Sequence, residues 1–146
     1  FQEKGELDEA IFCFQKTLTL KPNHPFAYFN MGNALHRKGE LDAALESYQN
    51  ALKIRPNYAE TYFNMGNIFT SKGEFHAATN NYKQVLKIEP DHVDAHYNMG
   101  ISLKNSGQLD AAIDSFIQAI EIRPNYADAH LNLGFLLEVS ANSTQQ

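Results

Sequence analysis

The sequence has no tryptophan, one cysteine and five prolines in 146 residues. A lone cysteine, Cys13, forbids an internal disulfide and removes the chain from the class of small disulfide-stapled domains. It falls within a helical pattern and is expected as a small, semi-buried apolar residue; a reducing, cytoplasm-like compartment fits it. Positive charge is also scarce. Twelve Lys and Arg against 17 Asp and Glu give a net charge of −5, the wrong sign for a nucleic-acid footprint. No run is long and apolar enough to span a membrane, and no stretch reads as a secretory leader. Missing too are a phosphate-cradling glycine loop, a nucleophile with a base in register, and Cys/His metal spacing. The expectation is therefore no catalytic residue, no cofactor and no resident metal.

What is present is a period. Pro22, Pro56, Pro90 and Pro124 stand 34 residues apart (56 − 22, 90 − 56, 124 − 90). Gly32, Gly66, Gly100 and Gly134 repeat with the same step, as do Gly5, Gly39, Gly73 and Gly107, which accounts for all eight glycines. A fixed period of this length signals a repeat array.

The unit from Asn57 to Pro90 shows the local logic. Gly73 divides it into two apolar-periodic stretches of helical length. Helix A is predicted over about 59–71, with Asn57 as its N-cap and Lys72-Gly73 as its stop. Helix B is predicted over about 75–88, ending before Pro90, which disfavours helical backbone at Glu89. Gly66 inside helix A costs about 1 kcal/mol against alanine. Its recurrence predicts a close helix approach, with the small row Ala10, Ala44, Ala78 and Ala112 as the facing surface. Larger rows include Tyr28, Tyr62, His96 and His130 on helix A, and Phe14, Tyr48, Tyr82 and Phe116 on helix B. One helix pair cannot bury all of these, so neighbouring pairs must stack.

These residues carry a resemblance. In the central unit Tyr62, Met65-Gly66, Phe69, Ala78, Tyr82, Val85 and Pro90 occupy the places of the tetratricopeptide repeat (TPR) pattern, with Tyr or His for its Trp and Met for its Leu. The chain resembles a TPR array over about residues 1–139, which implies an all-α, right-handed TPR α-solenoid of antiparallel helix pairs. The expected organisation is a single solenoid over 1–139: a partial repeat at 1–24, full repeats at 25–58, 59–92 and 93–126, and a final helix A at 127–139. A polar tail follows at 140–146. Residues 1–4 read as a stub and 7–20 as an orphan helix B. The mid-repeat start and the lack of an initiator Met read as a fragment of a longer protein.

Carboxylates and histidines have structural explanations. Asp8, Asp42 and Asp110 recur near helix B starts, where the helix dipole favours them. His92 and His96 lie one turn apart, a spacing that metal sites use. His96, however, stands in the Tyr28 and Tyr62 packing row, and His92 is expected in the preceding turn.

Asparagine is the informative row. Asn30, Asn64, Asn98 and Asn132 share one place on every helix A, joined by Asn33 and Asn67 three residues later. Asparagine is a mediocre helix residue, so its recurrence in helix middles wants a reason. In the TPR family the A helices line a concave face. The ladder is similar to that of the TPR regions of O-linked N-acetylglucosamine transferases, where amides hold the backbone of an extended polypeptide. An amide supplies a donor and an acceptor and so matches a peptide unit without reading its side chain. The resemblance therefore implies a non-catalytic scaffold that binds a protein or peptide in extended form. Asn30, Asn64, Asn98, Asn132, Asn33 and Asn67 would hold the ligand, and Phe29, Phe63 and Tyr97 would supply apolar contact. The competing account is that these amides only tie neighbouring helices together. Phe26, Glu60, Asp94 and Asp128 stand where TPR modules that capture chaperone tails carry Lys or Arg, which disfavours such tails and favours a neutral or basic ligand. The alternative function is head-to-tail self-assembly through chain ends bearing Ile11, Phe14 and Leu18 at one side and Leu133, Phe135 and Leu136 at the other.

Overall fold

The computed structural model describes residues 2–145. Among them are eight α-helices: α1 (Gln2–Leu20), α2 (Pro25–Lys38), α3 (Leu41–Ile54), α4 (Ala59–Ser71), α5 (Phe75–Ile88), α6 (Val93–Asn105), α7 (Leu109–Ile122) and α8 (Ala127–Thr144). The chain divides into two compact units, Phe1–Ile68 and Phe69–Gln146. Phe1, assigned to the opening stub, and Gln146, assigned to the tail, lie outside the described residues.

Glycine makes the turns within each helix pair. Gly39, Gly73 and Gly107 have φ of 85°, 76° and 81°, left-handed backbone that L-residues rarely adopt. Each turn is closed by the same two bonds. In the first, Gly39 N–H donates to His36 O at 2.9 Å and Glu40 N–H to Leu35 O at 2.9 Å, which satisfies carbonyls left open at the end of α2. Gly5 behaves differently. It lies inside α1 without positive φ, so the expected stub and turn are replaced by one continuous helix from Gln2. Asp8 accordingly sits in mid-helix, where its carboxylate meets Lys38 Nζ at 2.5 Å. Asp42 and Asp110 do occupy first helical turns.

In the first unit α2 packs on α3 and α1 packs on α2. A Cβ at Gly32 would lie 2.6 Å from Tyr48 Cε1, so the close approach predicted from the glycine row is real there. Its partner is the helix B ring rather than the alanine row. In the second unit α5 packs on α6, and α6, α7 and α8 pack around Leu103, Ala112, Phe116, Ala119, Ala129 and Leu136. A Cβ at Gly100 would lie 2.8 Å from Phe116 Cε1, while Gly134 has nothing within 4 Å. Tyr48, Tyr82 and Phe116 are fully buried.

Three local expectations change. Cys13 is exposed on α1, because the buried stripe of that helix runs through Leu7 and Ile11 instead. Helix α4 begins at Ala59 directly after Tyr58, leaving Asn57 in the turn. Helix α8 runs on to Thr144 instead of ending at residue 139; nothing among residues 140–144 breaks it, and Ser143 Oγ bonds back to Val139 O at 3.0 Å.

Candidate functional site

The helix A amides are best followed unit by unit. In the first unit Asn30 and Asn33 stand one turn apart on α2. Asn30 is exposed and has no hydrogen-bond partner among the described residues. Asn33 is half-buried, and its Oδ1 accepts from the Tyr48 hydroxyl and, at 3.0 Å, from Asn64 Nδ2 of α4. Its Nδ2 makes no hydrogen bond among the described residues. Burial pushes the Tyr48 phenol up to about 12, so the hydroxyl stays protonated and donates.

That bond explains a pattern the sequence carries but spacing alone does not interpret. Fifteen residues separate Asn33 from Tyr48. At the same interval Asn67 precedes Tyr82, whereas Ile101 precedes Phe116. Amide and phenol occur together in the sequence and are replaced together by two apolar residues, but in the second unit the hydroxyl of Tyr82 is met by Thr70 and Asn98.

In the second unit Asn98 is half-buried beside the Tyr82 hydroxyl. Tyr82 is likewise pushed up to about 12 by burial and lies 3.2 Å from Thr70 Oγ1, which also reaches Ser102 Oγ at 3.1 Å. Asn132 has both ends of its amide engaged. Its Oδ1 accepts from Lys104 Nζ at 2.9 Å, and its Nδ2 donates to Asp128 O at 2.9 Å and to the Tyr97 hydroxyl at 3.3 Å. Asn67 is half-buried.

The aromatic row divides. Phe29 is buried and stacked on Tyr58 with centroids 4.8 Å apart and planes at 29°. Tyr97 is half-buried, edge-on to Tyr126 at 4.8 Å. Phe63 is half-buried. Phe29 and Tyr97 therefore lean into helix junctions. Their neighbours Tyr58 and Tyr126, missed in the sequence reading, lie in the turns before helices α4 and α8.

The row 24, 58, 92 and 126 holds His, Tyr, His and Tyr, and the two residue types do different work. His24 Nδ1 accepts from Ala27 N–H at 3.2 Å, and His92 Nδ1 accepts from Ala95 N–H at 3.0 Å, so both histidines cap helices. His96 Nε2 is 2.9 Å from Pro90 O, and His130 Nε2 is 2.8 Å from Pro124 O. The His92/His96 pair is thus explained by backbone contacts, and no group of three His, Cys, Asp or Glu is gathered for a metal among the described residues. No helix among them is long and apolar enough to cross a membrane.

Several solved structures share this fold. A crystal structure of MamA superposes with a TM-score of 0.89 at 25% identity, covering 96% of this chain and 82% of that one. MamA 41-end from Desulfovibrio magneticus RS-1 gives 0.87 at 23%, covering 97% and 80%. The first TPR of Spaghetti (RPAP3), bound to the HSP90 peptide SRMEEVD, gives 0.76 at 17%, covering 80% and 93%. No curated protein matches in sequence. The fold class is that of the TPR α-solenoid. A family model described as TPR repeat matches residues 1–39, 32–70, 66–107 and 102–138 in succession, so this chain belongs to the TPR repeat family.

Proposed function

We propose that this protein binds polypeptide in extended form along the surfaces that the A helices of each unit present, holding the ligand backbone through asparagine amides. The observation that carries the proposal is in the first unit. Asn30 is exposed and unpartnered among the described residues, and one turn on Asn33 keeps an unpartnered Nδ2 while Asn64 fixes its orientation. A pre-oriented amide loses little freedom on meeting a peptide group, and each such bond contributes about 0.5–1.5 kcal/mol net. Asn98 and Asn132 occupy the same repeat place in the second unit. Asn132 is engaged by Lys104, so a ligand there meets the Lys104 ammonium or displaces it. The RPAP3 neighbour, which shares the fold and was solved bound to an HSP90 peptide, supports the general reading.

The test compares partner capture by the parent with capture by a triple variant, Asn30→Ala, Asn64→Ala, Asn98→Ala, at equal helicity. The captured segment is then remade with N-methyl groups at alternate residues. Backbone holding predicts that both changes weaken binding, and that exchanging the ligand's side chains does so less. Unchanged capture by the triple variant would sink the proposal.

A second reading, self-assembly, has one observation in its favour. Helix α8 exposes Leu131, Phe135, Leu137 and Val139, each about half accessible, and α1 exposes Phe12 and Leu20. Of the residues first considered for it, Ile11 and Leu136 are buried in their own units. A molar mass that stays monomeric across a light-scattering concentration series would remove this reading.

A further inference from the structure

We propose that Phe26, Arg55 and Tyr58 of the first unit form a docking platform for an acidic residue flanked by an apolar one in the bound polypeptide. This deepens, and rests on, the extended-polypeptide reading, and it departs from the neutral or basic ligand expected from the acidic residues of the A helices, because the positive group lies at the end of α3.

Arg55 ends α3, its N–H bonded to Ala51 O at 2.8 Å, which fixes where the side chain starts. The guanidinium carbon lies 4.5 Å from the Tyr58 ring centroid and 5.7 Å from that of Phe26. Tyr58 is held rigid: it is 6% exposed, stacked on Phe29, and met edge-on by Phe26 at 5.8 Å. Phe26 itself is 50% exposed. No ion pair or hydrogen bond engages the Arg55 side chain among the described residues, although Arg37 and Lys38 of the same unit both hold carboxylates.

A guanidinium laid on an aromatic ring keeps its donor edge open, and that edge matches a carboxylate through two parallel hydrogen bonds. Its weak hydration makes exchange of water for a carboxylate inexpensive. The open ring of Phe26 beside it offers apolar contact to the adjoining side chain. Glu60 is a competitor in the same unit; its charge reaches the Tyr58 phenol, yet among the described residues it makes no ion pair with Arg55.

The second unit supplies an internal comparison. The hexapeptide Ile-Arg-Pro-Asn-Tyr-Ala at 54–59 recurs at 122–127. Arg123 again lies over a tyrosine, 4.9 Å from the Tyr126 centroid. There, however, Asp94 replaces Phe26 and Asp128 replaces Glu60, and both aspartates act on the Tyr126 phenol. The same arginine then shares its tyrosine with two carboxylates and has no counterpart of the Phe26 ring, so an acidic ligand is disfavoured.

The probes are two labelled peptides, acetyl-Ala-Ala-Leu-Glu-Leu-Ala-Ala-amide and its counterpart with Gln for Glu, titrated by fluorescence anisotropy at low salt. The Glu peptide is expected to bind about three- to tenfold tighter, a preference that fades as salt rises. Arg55→Gln should bring the ratio to one, while Arg123→Gln should leave it unchanged. Arg55→Lys, which keeps the charge without the planar fork, should lower it part of the way and serves if Arg55→Gln loses helicity. Asn30→Ala with Asn64→Ala should weaken both peptides equally, so its failure strikes the backbone reading and leaves the Glu-to-Gln ratio to judge the platform. Equal binding of the two peptides by the parent, or a preference that survives Arg55→Gln, overturns the platform. No binding of either peptide overturns both.

Discussion

At Asn33 a helix A amide meets a buried phenol, and that meeting fixes what the residue does. Its Oδ1 serves Tyr48 and Asn64 together, so removing one partner leaves a polar atom short of a bond inside the unit. Tyr48→Phe is expected to cost about 1 kcal/mol in thermal unfolding. Asn33→Ile alone should cost more, because it leaves the Tyr48 hydroxyl buried with less company. The double variant recreates the Ile101 and Phe116 combination and should recover much of the loss. A double-mutant cycle that proves additive would refute the coupling. Glycine gives a second contrast at this scale. Gly134→Ala, with nothing within 4 Å, should stabilise α8 by about 1 kcal/mol through helix propensity. Gly32→Ala must push a fully buried ring from 2.6 Å and should destabilise by about 1–3 kcal/mol. Unfolding midpoints of the two variants should move in opposite directions.

Helices here start and stop by unlike devices. The three turns within pairs use left-handed glycine, whereas the starts of α2 and α6 use a histidine ring nitrogen where Ser, Thr, Asp or Asn is usual. His92→Ala should therefore cost about 1 kcal/mol, and His92→Asp should retain most of the stability, because a carboxylate accepts the same N–H and also favours the helix dipole. Chemical denaturation of both variants checks this; equal loss in both would assign His92 a packing role instead. Helices α4 and α8 follow tyrosine in that place and trade the cap for an aromatic-cation cluster at the junction. The alternation of His and Tyr in one row is thus an alternation of two ways to secure a helix start.

At the scale of the whole molecule, each unit buries a tyrosine whose ionisation opposes folding. Tyr48 and Tyr82 are both pushed up to about 12 by burial, above the ordinary value of 10. A raised folded-state value means that the folded protein holds these protons more tightly than the unfolded chain. The associated stability is complete below about pH 10 and is lost as pH climbs towards 12, by about 3 kcal/mol per phenol. Denaturant midpoints should fall steeply across that window. Replacing both residues by phenylalanine should flatten the fall, and an unchanged slope would refute the assignment.

Sequence alone determined the repeat, the helix pairs and the family. These follow from period, breaker and apolar spacing, which are local properties of the chain. Helix limits in the central unit were legible for the same reason: residues 59–71 and 75–88 were predicted and observed. The ends were less legible, because a glycine such as Gly5 reads as a turn by analogy with its row, yet nothing in its surroundings forces positive φ. Of the candidate site, the asparagine row was visible, but which amides were already engaged was not. Asn30 and Asn132 occupy the same repeat place, and only Asn132 has Lys104 and Tyr97 within reach. Arg55 was passed over because it lies outside the A helices, in a turn, and gains its role only when α3 ends beside Tyr58 and Phe26. Repetition in sequence sets the backbone path, whereas the partner each side chain finds depends on residues a full repeat away, and those only the tertiary structure brings together.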